Sequence, residues 1–143
     1  MEGSNKRHSF QVLLVEDDLC LQTALKRFFK TIADVRLQWV TNAEEALEYL
    51  GTHACDLVIS DFTLPGKMDG LGLWVELNGK RRTTPFVLMS GLLPVQDFLR
   101  LSASLDNQPC FLPKPFLQSE FEEIVRSKLL PGTGLQMKTR RAA

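Results

Sequence analysis

Two short apolar runs that each break off at acids constrain the fold of this chain most. Val12-Leu13-Leu14-Val15 runs into Glu16-Asp17-Asp18, and Leu57-Val58-Ile59-Ser60 runs into Asp61. Runs this short, apolar in succession instead of alternating with polar residues, suit strands covered on both faces, as in a parallel sheet. Neighbouring parallel strands end side by side, so at least three carboxylates, from Glu16-Asp17-Asp18 and Asp61, would converge on one spot. Crowded carboxylates raise one another's pKa unless a cation sits among them. Oxygen ligands with little His or thiolate suit a hard divalent ion, and magnesium is the usual choice where phosphate chemistry follows. Either run alone is equally well explained as a strand leading into a solvated loop. The residues further along favour a site.

Strand-like runs alternate with helix-period segments along the rest of the chain. Phe10 to Val15 reads as a first strand, and residues 19 to 33 place Leu21, Leu25, Phe28, Phe29 and Ile32 at helical spacing behind Asp18 as the cap. Val35 to Val40 is a second strand. Thr41 is then expected to cap a helix carrying Ala43, Ala46, Leu47 and Leu50, with Glu44 favoured in its first turn by the helix dipole and Gly51 at its end. Leu57 to Ser60 forms a third strand, followed by the turn-rich Leu64-Pro65-Gly66-Lys67-Met68-Asp69-Gly70 and a short helix over Leu71 to Leu77. Pro85 to Ser90 is a fourth strand and Val95 to Ser104 a weaker helix. Phe111 and Leu112 lie in a fifth strand. Leu117 to Leu130 is a last helix with Phe121, Ile124, Val125 and Leu129 inward.

Five strand-then-helix units imply a doubly wound α/β fold, a parallel sheet with helices on both faces, because right-handed crossovers carry the chain back over the sheet. Ligand sites in such sheets lie beyond the carboxyl ends of the strands, where the strand order reverses. Glu16, Asp17, Asp61, Ser90 and Lys114 all fall at such ends. The 143 residues suffice for one domain. Its expected extent is 10–130, with a disordered polar tail over 1–9 and a flexible tail or linker over 131–143. Seventeen basic residues balance 17 acidic ones, so the charge gives no argument for nucleic acid or an anionic membrane. No apolar run approaches a membrane span, and the polar start has no signal-peptide core, which points to the cytoplasm. Cys20, Cys55 and Cys110 lack disulfide or zinc spacing and are expected to be reduced core thiols. His8 and His53 lie in a polar tail and a turn, so neither reads as a phosphorylated histidine.

The ordered set of strand-end residues resembles the receiver (phosphoacceptor) domain of the two-component response regulators, from about Phe10 to Leu130. The residues that carry the likeness are Glu16-Asp17, Asp61, Leu64-Pro65 with Met68-Asp69-Gly70, Ser90-Gly91, and Lys114-Pro115-Phe116. The resemblance implies a flavodoxin-like (βα)5 sheet of strand order 2-1-3-4-5. It makes Asp61 the nucleophile that takes a phosphoryl group from the phosphohistidine of a histidine kinase or histidine phosphotransfer protein. Glu16, Asp17, Asp61 and the backbone carbonyl of Thr63 would hold magnesium, with manganese as a substitute. Lys114 and Ser90 would bind phosphoryl oxygens, and the Lys114–Pro115 bond would be cis. Ser90 and Phe111 would form the switch that alters the face of the fourth helix, fifth strand and fifth helix; Phe111 has no hydroxyl, which excludes a tyrosine hydrogen bond there. That face would signal to an output protein or domain and support a weak homodimer. Such a domain is not a stand-alone enzyme, although it catalyses its own phosphorylation and dephosphorylation.

The register of the acids follows from the family, whose pair begins directly after the apolar run: Glu16 and Asp17, leaving Asp18 for the helix cap. The loop after Asp61 has one residue more between Pro65 and Met68 than the commonest family pattern, similar to receivers attached to hybrid sensor kinases. By the same resemblance, Leu92 and Thr63 would flank the route of water to the phosphoryl group and tune its lifetime. The stretch from Pro131 to Ala143 is too short for a DNA-binding output domain, so the chain is expected to be a stand-alone receiver or a segment of a larger kinase or regulator. A haloacid-dehalogenase-like phosphatase would need a second Asp where this chain has Thr63. A phosphorylation-independent pseudo-receiver, acting only as a binding module, would normally have lost the acid pair, the acceptor or the Lys, and all are present.

Overall fold

The computed structural model describes residues 9–80, 84–91, 95–101, 103 and 108–130. Strands β1 (Phe10–Val15), β2 (Val35–Val40), β3 (Leu57–Asp61), β4 (Phe86–Ser90) and β5 (Cys110–Pro113) alternate with helices α1 (Leu19–Phe29), α2 (Ala43–Leu50), α3 (Gly70–Gly79), α4 (Val95–Leu101) and α5 (Gln118–Leu129). The strands form one parallel sheet in the order β2-β1-β3-β4-β5. This is the doubly wound fold read from the sequence. The order reverses between β1 and β3, where Val15 pairs with Ser60 and the acids follow at once.

The period of two along each strand divides the core into two layers. Val12, Leu14, Leu57, Ile59, Val87, Met89 and Leu112 pack against Leu25, Phe28 and Phe29 of α1 and Phe121, Val125 and Leu129 of α5. The intervening Leu13, Val15, Val58 and Leu88 pack against α2, α3 and Phe98 of α4. Both faces of the central strands are therefore covered, which is why they read as continuously apolar. The outer strand β2 instead alternates between half-buried and exposed residues.

Several local expectations need correction. Asn42, not Thr41, caps α2: its Oδ1 accepts from the Glu45 N–H at 2.8 Å. Thr41 stands one residue earlier, and its N–H and hydroxyl both donate to Glu45 Oε1. Gly51 ends α2 with φ −70°, right-handed, so its place owes nothing to a left-handed turn. Helix α1 stops at Phe29; Ile32 is buried but lies beyond the helix, where Thr31 and Ile32 N–H groups bond back to Phe28 and Phe29 in tighter turns. Helix α3 runs longer than expected, and α5 turns Ile124 only half inward while burying Glu122. The cysteines are core only in part: Cys20 is exposed on the first turn of α1, whereas Cys55 and Cys110 are half-buried against the two apolar layers. The C-terminal part of the Val95–Ser104 helix, the residues 1–8 and 131–143, and Leu92 lie outside the described residues.

Three aromatic rings tie α1 to α5. Phe28, Phe29 and Phe121 meet edge to face with centroids 5.0 to 5.9 Å apart. Phe121 is fully buried. Phe121→Ala is expected to lower the unfolding free energy by about 3–5 kcal/mol, measured by urea denaturation, because the sheet cannot close the cavity. A loss below about 1 kcal/mol would contradict this packing.

Candidate functional site

Glu16, Asp17 and Asp61 bring carboxylate oxygens within 4.8 Å of one another beyond the ends of β1 and β3. Glu16 is fully buried and Asp61 nearly so, whereas Asp17 is exposed. Asp18 is outside this group. Its side chain accepts from the Cys20 and Leu21 N–H groups at the start of α1, and its own N–H donates to Glu16 Oε2 at 3.0 Å. The third acid of the row thus caps the helix and at the same time orients the first.

Lys114 follows β5, and its peptide bond to Pro115 is cis. Its Nζ stands 3.2 Å from Asp61 Oδ1 and 3.6 Å from Glu16 Oε1. The backbone fixes where the side chain starts, since Lys114 N–H donates to Ser90 carbonyl oxygen at 2.8 Å. Ser90 is buried at the end of β4, opposite Pro113. Thr63 is exposed two residues beyond Asp61, at the start of the β3–α3 loop. Phe111 is half-buried and stacks on Phe98 of α4, with centroids 4.6 Å apart and planes 12° from parallel. A cavity of about 570 Å³ opens beside Lys114, lined by Cys20, Leu21, Pro115 and Phe116 among others.

The electrostatics follow from this crowding. Burial pushes Glu16 up from its ordinary 4.5 to about 7; Asp61 and Asp17 add repulsion, and the Asp18 N–H and Lys114 only partly oppose it. Burial also raises Asp61, against the pull of Lys114 and of the Phe62 N–H. One lysine serves two buried acids and leaves an exposed third beside them. Glu16 Oε1 has no hydrogen-bond partner among the described residues, and Lys114 at 3.6 Å is too far for one. An orphaned buried acceptor within an all-oxygen donor set fits a hard divalent cation or water bound to one.

A family model for the response regulator receiver domain matches residues 12–126. The chain belongs to this family. Its sequence is similar to the transcriptional activator protein PfeR of Pseudomonas aeruginosa, 38% identical over 112 residues that cover 78% of this chain and 35% of PfeR. The chain spans about a third to a half of the length of the curated relatives it matches first. Its structure is similar to the non-phosphorylated HemR receiver domain of Leptospira biflexa, with TM-score 0.73 and 30% identity over 85% of this chain and 95% of that one. It shares its fold with the receiver domain of the sensor histidine kinase PA1611 of Pseudomonas aeruginosa, solved with magnesium in the active-site cleft, at TM-score 0.71 and 22% identity over 85% and 98% of the two chains.

Two supporting residues of this receiver were not legible as such. Gln22 is buried on α1, and its Nε2 donates to the Glu16 carbonyl at 2.7 Å, fastening the acid turn to the helix. A glutamine on the apolar stripe of a predicted helix was the available signal. Gly70 begins α3 against the end of β3: a Cβ there would overlap the Asp61 carbonyl oxygen. Glycine is required for that approach, which joins the β3–α3 loop to the backbone of β3.

The raised pKa of Glu16 has a definite sign. Between about 4.5 and 7 the folded state holds a proton that the unfolded chain has lost, so this group's contribution makes stability fall as pH rises through that window. Without divalent ions, Glu16→Gln is expected to stabilise the domain at pH 8 by on the order of 2 kcal/mol, with the difference fading toward pH 4.5. Urea melts across pH test this. A variant no more stable than the parent at pH 8 would contradict the burial of an ionised Glu16.

Proposed function

We propose that this receiver accepts a phosphoryl group on Asp61, in a magnesium-dependent transfer from a phosphohistidine on a histidine kinase or histidine phosphotransfer protein. The observation that carries the reading is the placement of Lys114 Nζ 3.2 Å from Asp61 Oδ1, inside a cluster that also contains Glu16 and Asp17. An oxygen of Asp61 attacks phosphorus, a P–O bond forms as the P–N bond breaks, and the departing imidazole nitrogen keeps the electron pair and takes up a proton. Asp61 needs no deprotonation by a base, because an ionised carboxylate is already a nucleophile.

Glu16, Asp17, Asp61 and the Thr63 carbonyl would hold magnesium, or manganese in its place, and a bound divalent ion offsets the repulsion between the acids and the incoming phosphoryl oxygens. Lys114 supplies the fixed positive charge on the other side, and the Ser90 hydroxyl donates to a phosphoryl oxygen. The cavity beside Lys114 leaves room for a donor side chain to approach. The magnesium in the PA1611 receiver, a domain of the same fold, supports the metal part of the reading.

The phosphorylated aspartate carries added charge and acceptors, which favour the arrangement in which Ser90 has turned toward it. Phe111 then leaves its stack on Phe98 and moves inward, altering the face of α4, β5 and α5. That face signals to a cytoplasmic output protein or domain and supports a weak homodimer, without direct contact to nucleic acid.

Incubation with acetyl phosphate and magnesium is expected to add the mass of one phosphoryl group to the intact protein. Asp61→Asn and chelation of magnesium should each abolish the gain, and Lys114→Ala should slow it about a hundredfold. No added mass, or a gain unaffected by Asp61→Asn, would overturn the reading.

A further inference from the structure

The first turn of α2 carries two glutamates with different tasks. Glu45 turns back on its own helix end, where it accepts from Thr41. Glu44 reaches out of its helix to the β3–α3 loop, and its Oε2 accepts from the Lys67 N–H at 3.3 Å. The helix dipole accounts for an acid at this position but not for the direction in which it points. The loop fits around the carboxylate. Gly66 has φ 95°, and a Cβ built on it would lie 2.9 Å from Glu44 Oε1. A residue other than glycine would be strained there and would also push the carboxylate away.

Both ends of this loop are tied to the site. Phe62 N–H donates to the Met89 carbonyl at 2.7 Å, and Gly70 N–H donates to the Phe62 carbonyl at 2.8 Å. Asp69 Oδ1 then caps α3 through the Gly72 N–H. Between these fixed ends lie Thr63 to Met68, and the Lys67 N–H ties this stretch to Glu44. Thr63 is the residue whose carbonyl is assigned to the metal above, so the order of this segment bears on the entropy lost when the metal binds.

We infer that Glu44 is a positioning residue for the metal site: its carboxylate clasps the backbone at Gly66-Lys67 and pre-orders the β3–α3 loop so that the Thr63 carbonyl is ready for the divalent ion. The inference rests on the phosphoacceptor reading and deepens it. It assigns to α2, an element outside the acid cluster, a share in metal affinity. Because Glu44 touches neither the metal nor the phosphoryl group, its loss raises the magnesium requirement and leaves the transfer at saturating magnesium unchanged.

The experiment measures phosphorylation by acetyl phosphate over a magnesium titration, read by intact mass, for the parent, Glu44→Ala, Glu44→Gln, Gly66→Ala and the double variant. Glu44→Ala is expected to raise the half-saturating magnesium concentration about threefold, the effect of losing one modest hydrogen bond, with the maximal rate unchanged. Glu44→Gln keeps an acceptor oxygen and should restore most of the affinity. Gly66→Ala should also raise the requirement, and Glu44→Ala on top of it should add little, because the clasp is already open. Circular dichroism and thermal melts check that the variants remain folded, as an exposed first-turn residue allows. A parent that takes no phosphoryl group would overturn the phosphoacceptor reading and this inference with it. A parent that is phosphorylated while Glu44→Ala keeps the parent's magnesium requirement would overturn the inference alone, as would a loss confined to the maximal rate.

Discussion

Two buried carboxylates facing one lysine set the terms for the rest of this structure. Glu16 and Asp61 lie close together out of water, and Lys114 stands between them at ion-pair distance from both. A single ammonium does not offset two buried acids and the exposed Asp17 beside them, and burial holds the carboxyls of both Glu16 and Asp61 above their ordinary range. Such an arrangement is costly for a fold and useful for a site. It persists because the surrounding backbone leaves these groups nowhere else to go, and it gains when positive charge arrives.

The scaffold accounts for how that crowding is held. Parallel pairing of β1 with β3 aligns their carboxyl ends at the reversal of strand order, and the two apolar layers on either side lock the register. A slip by one residue would turn Leu13 and Leu14 to the opposite layers. The turns beyond the strands are fastened one by one: Gln22 and the Asp18 N–H hold Glu16, Gly70 lets α3 begin against Asp61, and Ser90 anchors Lys114. Glu16, Asp61 and Lys114 therefore lie at the ends of rigid elements, and the β3–α3 loop has length to spare.

Much of this was readable in the order of residues because parallel strands write themselves as unbroken apolar runs. Val12 to Val15 and Phe86 to Met89 located their strands, and the acids and Lys114 stood at the expected ends. What escaped depended on contacts between distant segments. Gly70 looked like a turn glycine until the carbonyl of Asp61 was beside it, and Glu44 looked like a dipole partner until Lys67 was. Local choices between neighbouring cap formers also failed: Thr41 and Asn42 both suit a cap, and the one-residue difference was decided by which side chain meets the Glu45 N–H. Cys20 was misjudged because a general tendency of thiols to be buried carries no information about the helix face, and this one falls on the outer face of α1.

The proposed function depends on a divalent cation held at the carboxyl edge of the sheet, and magnesium binding to the unphosphorylated domain decides whether it is held there. Calorimetric titration near pH 8 at moderate ionic strength should give a single site per chain for the parent, a matching rise in melting temperature, and loss of both in Asp17→Asn and in Asp61→Asn. Absence of saturable binding in the parent, or binding that survives both substitutions, would contradict a metal site at Glu16, Asp17 and Asp61.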